Sequence, residues 1–81
     1  MSNPSQDKPL RYRELRRKLG NFGVTEHRDR GKGSNRGLYH PNINGKPVWY
    51  YIKCHGEGDE LSKPIVRAAR ERFNIPIEEF Y

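Results

Sequence analysis

Cysteine and long apolar runs are scarce in this 81-residue chain. Its single cysteine, Cys54, excludes an internal disulfide and any thiolate-rich zinc site. No apolar run approaches the about 20 residues that cross a bilayer, and the first residues lack the apolar segment of a signal peptide. These absences predict a cytoplasmic protein without a membrane anchor.

Acidic residues are also in the minority. Ten Asp and Glu stand against sixteen Lys and Arg, which gives a formal net charge of +6 and a pI of about 9.8. Such an excess of positive charge is typical of proteins that bind nucleic acids, although small domains are also basic for solubility alone. The composition favours a polyanionic partner, RNA or DNA.

Four of the sixteen cations lie in one short glycine-containing segment, residues 28–36. Its two glycines, Gly31 and Gly33, let a backbone approach a partner closely. The glycines are too close together for a nucleotide-binding P-loop. We therefore predict contacts with an RNA phosphate backbone from Arg28, Arg30, Lys32, Gly33, Ser34 and Arg36. The alternative is a solvated basic hairpin.

The apolar pattern begins after a polar start. Residues 1–9 have no apolar periodicity and predict a disordered N-terminal arm, followed by a single domain over residues 10–81. From Leu10 a stripe with spacings of three, four and three predicts a helix that ends at Gly20. Its members are Tyr12, Leu15, Leu19 and Phe22.

Three strands are predicted next, over residues 24–30, 35–41 and 48–54. Asn44-Gly45 predicts a tight hairpin between the second and third. Alternation places Val48, Tyr50, Ile52 and Cys54 on one face of the third strand, and Trp49, Tyr51, Lys53 and His55 on the other.

A second helix follows an acidic loop, Gly56 to Glu60. Ser62 is its predicted N-cap, Pro64 lies in its first turn, and Asn74 ends it. Leu61, Ile65, Ala69 and Phe73 form the predicted buried stripe, with Val66 beside it. Residues 77–80 predict one more helical turn.

The predicted fold class is α+β, in the order α-β-β-β-α, with both helices on one face of a three-stranded antiparallel sheet. The predicted core is Leu15, Leu19, Val48, Tyr50, Ile52, Ile65, Ala69 and Phe73. The other face is expected to stay open. There Trp49 and Tyr51 either stack on unpaired bases or pack against a protein partner or the N-terminal arm.

This element order, the Gly31-Lys32-Gly33-Ser34 turn and the following Tyr39-His40-Pro41 resemble the HicA toxin family. The similarity extends from about Leu10 to Phe80 and includes the ending 75–80. The resemblance implies a fold like a double-stranded-RNA-binding domain and an endoribonuclease that cuts messenger RNA. It also implies a HicB-like antitoxin protein that covers the active surface, and makes Arg13 and Arg17 secondary RNA contacts.

Members of that family carry a catalytic histidine directly after the glycine-serine pair, where this chain has Asn35. Cleavage by a 2′-hydroxyl requires a group that takes up its proton, which histidine does near neutral pH. Asparagine does not titrate, so Asn35 can orient a phosphate or read a base edge but cannot act as the general base.

The three histidines are therefore the other candidates for proton transfer. His27 precedes the glycine turn, and its distance from Asn35 depends on the strand register. His40 is expected on the opposite face from Asn35, roughly 17 Å away along an extended strand, and His55 ends the third strand. Alternatively, each of them is a surface histidine that titrates without a catalytic role. No pair of them has the spacing of metal ligands, so neither a metal site nor a cofactor is predicted.

Three hypotheses follow from the sequence. The first is a HicA-like ribonuclease, the second is an RNA-binding module of the same fold without catalysis, and the third is a protein-binding partner of an antitoxin-like protein. Asn35 distinguishes the first two. Salt dependence distinguishes both from the third, because phosphate contacts weaken steeply as salt rises.

Overall fold

A computed structural model describes residues 7–27 and 35–81. It confirms the α+β class, with a three-stranded antiparallel sheet and helices. The elements in chain order are β1 Leu10–Arg11, α1 Tyr12–Gly20, β2 Thr25–His27, β3 Asn35–Ile43, β4 Lys46–Lys53, β5 Glu60–Leu61, α2 Lys63–Arg72 and α3 Ile77–Phe80. Within the described ranges, no helix is long and apolar enough to cross a membrane.

The main sheet has the strand order β2-β3-β4. Its tightest connection is the predicted hairpin turn, in which Asn44 and Gly45 adopt φ of 54° and 85°. Both residue types tolerate this left-handed region. The Gly45 N–H also donates to Asn42 Oδ1 at 2.7 Å, which closes the turn. The hairpin predicted from Asn44-Gly45 is therefore confirmed.

An irregularity in β3 shifts the register just beyond the turn. Ile43 pairs with Lys46, but His40 pairs with Val48, so β3 contains one more residue than β4 between these two pairs. The extra residue falls at Pro41 or Asn42, and proline has no N–H to contribute to a ladder. Leu38 consequently pairs with Tyr50.

The core lies between the sheet and both helices. Leu38 and Ile52 are buried on the sheet face that meets Leu15 and Leu19 of α1 and Val66 of α2. Burial alternates along β4 as predicted, with Ile52 and Cys54 buried while Tyr51 and Lys53 are exposed. Val48 and Tyr50 are half-buried at the border of the core.

One member of the predicted α2 stripe, Ile65, is wrong, whereas Leu61, Val66, Ala69 and Phe73 are buried as predicted. Ile65 is 36% exposed, and the buried residues of this helix are Val66, Ala69 and Arg70, followed by Phe73. Because the helix begins at Lys63, with Ser62 as its N-cap, residue 65 faces away from the sheet. Ile65 and Val66 are adjacent apolar residues, so the pattern alone did not decide which of them faces the core.

A second, two-stranded sheet was not predicted. Leu10 and Arg11 were assigned to the first helix, but they pair with Leu61 and Glu60 instead. This pairing brings the acidic loop against the start of α1. The Tyr12 N–H donates to the Asp59 carbonyl at 2.8 Å and the Arg13 N–H to the Glu57 carbonyl at 3.0 Å. The loop therefore satisfies amide groups that the first helical turn leaves without an intrahelical partner.

Asp7 is buried, although the predicted disordered arm extended to residue 9. Residues 1–6 lie outside the described part of the chain. Arg70 donates to both carboxylate oxygens of Asp7, from Nε and Nη2, each at 2.9 Å. Its Nη1 donates to the Ile75 carbonyl at 2.9 Å, and the Tyr81 hydroxyl donates to Asp7 at 3.0 Å. This ion pair fixes the N-terminal segment against the end of α2.

We predict that Asp7→Ala lowers the free energy of unfolding by about 3–5 kcal/mol at neutral pH, because it leaves the Arg70 guanidinium buried without its carboxylate. The side chains of the two residues are 6% and 11% exposed. Urea unfolding followed by circular dichroism measures the change. The double variant Asp7→Leu with Arg70→Met should recover most of the loss, since it removes both charges together.

The same pair predicts loss of stability in acid. The hydrogen bonds from Arg70 hold the pKa of Asp7 below its usual value. The stabilisation is therefore complete above the unfolded pKa of about 3.9 and is lost as the pH falls through the lower native pKa. The difference between wild type and Asp7→Ala should shrink toward pH 3. A difference that stays constant over this range would contradict this assignment.

Candidate nucleic-acid interface

The sheet face away from the helices carries a continuous set of aromatic and polar side chains. Trp49 and Tyr51 lie on it, as alternation predicted, and the register adds Tyr39 directly opposite Trp49 and His27 opposite Gly37. We call this surface the open face; its residues are Thr25, His27, Asn35, Gly37, Tyr39, Trp49, Tyr51 and Lys53.

The rings of the open face contact one another. The centroids of Tyr39 and Trp49 are 4.5 Å apart with their planes tilted by 40°, and Trp49 and Tyr51 are nearly parallel at 5.9 Å. His27 meets Tyr39 and Trp49 edge-on at 5.7 and 5.4 Å. Tyr51 is 50% exposed, and the other three rings are half-buried. Mutual packing thus fixes the orientation of the rings while part of their surface stays accessible.

Gly37 in the middle strand makes this packing possible. A Cβ added there would lie 3.2 Å from Cε1 of Tyr51, 3.4 Å from Cζ3 of Trp49 and 3.1 Å from the His27 carbonyl oxygen. The two rings of β4 therefore lean over β3 at a position without a side chain. Neither Gly37 nor Tyr39 was among the predicted site residues, because the register needed to place them on this face was unknown.

The register also locates the two residues considered for catalysis. His27 pairs with Gly37 and Asn35 pairs with Lys53, so His27 and Asn35 are diagonal neighbours on the open face. Thr25 Oγ1 lies 2.8 Å from His27 Nε2 and orients the ring. The strand register that the sequence left open therefore brings His27, rather than His40, to the side of Asn35.

The other two histidines lie elsewhere. His40 pairs with Val48 on the opposite face from Asn35, as expected from their spacing. Its Nδ1 accepts a hydrogen bond from the Asn42 N–H at 2.9 Å. His55 is exposed, and its own N–H donates to Asp59 Oδ2 at 2.7 Å in the acidic loop.

The side chain of Arg36, a predicted phosphate contact, points to the helices. Its guanidinium is 13% exposed, lies 3.6 Å from Glu26 and sits over the ring of Tyr12 at 5.6 Å from the centroid. The Tyr12 hydroxyl donates to the same carboxylate at 2.5 Å. These three residues form a polar cluster between α1 and the sheet, which we call the inner cluster. Arg36 therefore does not contribute its charge to the open face.

The remaining predicted phosphate contacts, Arg28, Arg30, Lys32, Gly33 and Ser34, lie outside the described residues. Two cations that were not among the predicted phosphate contacts border the open face. Lys53 lies beside Asn35 on the last pair of β3 and β4, and Arg72 reaches the β4 edge, where its Nε donates to the Trp49 carbonyl at 3.1 Å.

The secondary candidates of α1 line a different surface. Arg13 and Arg17 border a groove of about 890 Å³ between α1 and β2, together with Glu14 and Glu26. Arg16 also borders this groove, and its guanidinium pairs with Glu57 at 2.8 Å. The carboxylates of Glu14 and Glu26 offset part of the positive charge of the three arginines, so the groove offers a weaker attraction for a polyanion than a uniformly basic surface would.

Cys54 is buried at the end of β4 and donates its S–H to the Gly56 carbonyl at 2.9 Å. Burial raises the pKa of this thiol, which keeps it protonated and unreactive. Among residues 7–27 and 35–81, no group of three metal-ligating side chains comes together.

We predict that Tyr12→Phe lowers the free energy of unfolding by about 1.5–3 kcal/mol, because it removes a hydrogen bond to a carboxylate.

Burial, together with the bond to Glu26, raises the pKa of Tyr12. Its contribution to stability is therefore present below the unfolded pKa of about 10 and is lost as the pH rises further. Urea unfolding at neutral pH and near pH 10.5 should give a shallower alkaline decline for Tyr12→Phe than for wild type. Equal declines would show that Tyr12 does not titrate differently in the two states.

No protein-family model, no curated protein and no solved structure matches this chain. The function of this chain must therefore be inferred from the geometry and chemistry of the open face.

Proposed function

We propose that this chain binds RNA through the open face. The observation that carries the proposal is the packed set of rings on that face, with an amide and a lysine beside it at Asn35 and Lys53. Nucleic acids are bound by surfaces that combine aromatic side chains, which contact bases, with cations, which contact phosphates. The open face offers both kinds of group.

Electrostatics supports the same partner. The net charge of +6 attracts a polyanion at long range. Lys53 and Arg72 lie at the border of the rings, where the phosphates of a bound strand would pass. In the sequence, the segment that connects His27 to Asn35 contains three further cations, Arg28, Arg30 and Lys32. A purely apolar protein interface would not require this bias toward positive charge.

This proposal and the HicA-like interpretation of the sequence name the same partner, RNA. The proposal places the main contacts on the sheet, whereas the arginines of α1 line a groove that also contains the carboxylates of Glu14 and Glu26. In a toxin–antitoxin pair, a HicB-like protein that covered the open face would block RNA binding directly. This would make the antitoxin and RNA competitors for one surface.

We predict that a fluorescently labelled RNA hairpin, which contains both a stem and a loop, binds this protein with an affinity that falls steeply as salt increases. Lys53→Ala should weaken binding and reduce the slope of log K against log salt by about 0.7, because one phosphate contact is lost. Fluorescence anisotropy titrations at several salt concentrations measure both quantities.

Lys63→Ala is the matched control, since it removes the same charge from the exposed start of α2. It should leave both the affinity and the slope close to wild type. Absence of RNA binding at low salt would overturn the proposal. An affinity that does not depend on salt would favour the protein-binding hypothesis.

RNA cleavage is a second candidate function, favoured by the position of His27 beside Asn35 on the open face. In this reaction the imidazole takes the proton of a ribose 2′-hydroxyl, whose oxygen attacks the adjacent phosphorus. The bond to the 5′-oxygen of the next nucleotide breaks, and that oxygen takes up a proton from water, while the imidazolium returns its proton to solvent. Asn35 is placed to donate a hydrogen bond to a phosphate oxygen during this step.

Incubation of purified protein with end-labelled RNA tests this candidate. We expect slow cleavage to fragments ending in a 2′,3′-cyclic phosphate, its loss in His27→Ala, and faster cleavage by Asn35→His, which adds a second titrating group. The removal of one proton-transfer group should reduce the rate by about 10²–10⁴. RNA that stays intact with wild type but still binds would exclude cleavage and leave the binding function.

A further inference from the structure

We infer that the RNA bound by this chain is single-stranded, with unpaired bases stacked on Tyr51 and on the Tyr39–Trp49 pair of the open face. This inference rests on the proposed RNA binding and makes it more specific. The orientation of the rings supports stacking of bases on this face. Trp49 and Tyr51 are parallel within 5° at successive outward positions of one strand, so they present two similarly directed surfaces to a ligand.

Preorganisation of the rings also favours stacking. Tyr39 and His27 pack against Trp49 from the neighbouring strands, and Gly37 leaves room for the rings of β4 to lean across the sheet. A base that stacks on such a surface does not first have to order flexible side chains, which lowers the entropic cost of binding.

A single strand can use this surface for stacking, whereas a duplex cannot. Stacking requires a base with an accessible π-face, and in a duplex both faces of each interior base are covered by its neighbours. The deep major groove of an A-form duplex also excludes a broad sheet. A single strand can turn its bases toward the sheet, where aromatic rings are able to stack on them.

Charge complementarity identifies the ligand as a nucleic acid rather than an apolar peptide. Lys53 lies at one end of the row formed by Trp49 and Tyr51, and Arg72 lies at the β4 edge beside Trp49. A strand whose bases cover the rings would carry its phosphates toward these two cations. An apolar segment would leave both charges without a counter-ion.

Tyr51 and Ile65 provide a matched pair of variants, because they are the large apolar residues exposed within the described part of the chain. Tyr51→Ala and Tyr51→Leu should weaken binding of an unstructured single-stranded RNA by about 5- to 150-fold. Tyr51→Phe should retain the wild-type affinity, since it keeps the ring. Ile65→Ala on α2 should have no effect.

The experiment compares the single strand with the same strand annealed to its complement. Trp49 is the only tryptophan of the chain, so its intrinsic fluorescence reports stacking on the open face. We expect tighter binding of the single strand, together with quenching of Trp49 that the duplex does not produce.

Equal or tighter binding of the duplex, or wild-type affinity of Tyr51→Leu, would overturn the inference while leaving RNA binding intact. Failure to bind either RNA would overturn both the inference and the proposed function.

Discussion

The pairing of β3 with β4 is the constraint on which both faces of the sheet depend. Side chains alternate along a strand, so a shift by one residue exchanges the buried face with the exposed face. The extra residue of β3 near Pro41 sets this alternation. Without it, continuation of the Asn44-Gly45 hairpin would place His40 opposite Trp49 and turn Tyr39 toward the helices. The irregularity therefore places Leu38 in the core and Tyr39 among the exposed rings.

Charged residues take an unusually large part in holding this small domain together. Only 32% of the chain is hydrophobic, and two polar clusters extend its core. Asp7 and Arg70 connect the N-terminal segment with the end of α2, and the inner cluster connects α1 with the sheet. Both clusters have directional hydrogen bonds, which fix the positions of elements more narrowly than apolar contacts alone.

The elements with strong local signals could be predicted from the sequence. The hairpin at Asn44-Gly45 and the alternation along β4 were predicted because two adjacent residue types, or a period of two, define them. The short β1–β5 pairing and the buried Asp7 were missed for one physical reason. Their partners lie about 50 and 63 positions away in the sequence, and no local pattern encodes such a contact.

The candidate site was predictable only in part, for a related reason. Trp49, Tyr51 and Lys53 were placed on one face because they belong to a single strand, whereas Tyr39 and Gly37 required the register between strands. Arg36 was grouped with the neighbouring cations because the sequence shows that a side chain is charged but not toward which face of the sheet it points. Its position on β3 assigns it to the face that Glu26 occupies.

The acidic loop that covers the start of α1 also has a consequence for the way the chain folds. The Tyr12 and Arg13 amides would exchange rapidly with solvent in an isolated helix, but here they bond to carbonyls more than forty residues away. The first turn of α1 therefore forms only when the loop after β4 is in place. Helix, loop and the short β1–β5 pairing thus belong to one cooperative unit, and hydrogen exchange of both amides will follow opening of the loop rather than fraying of the helix.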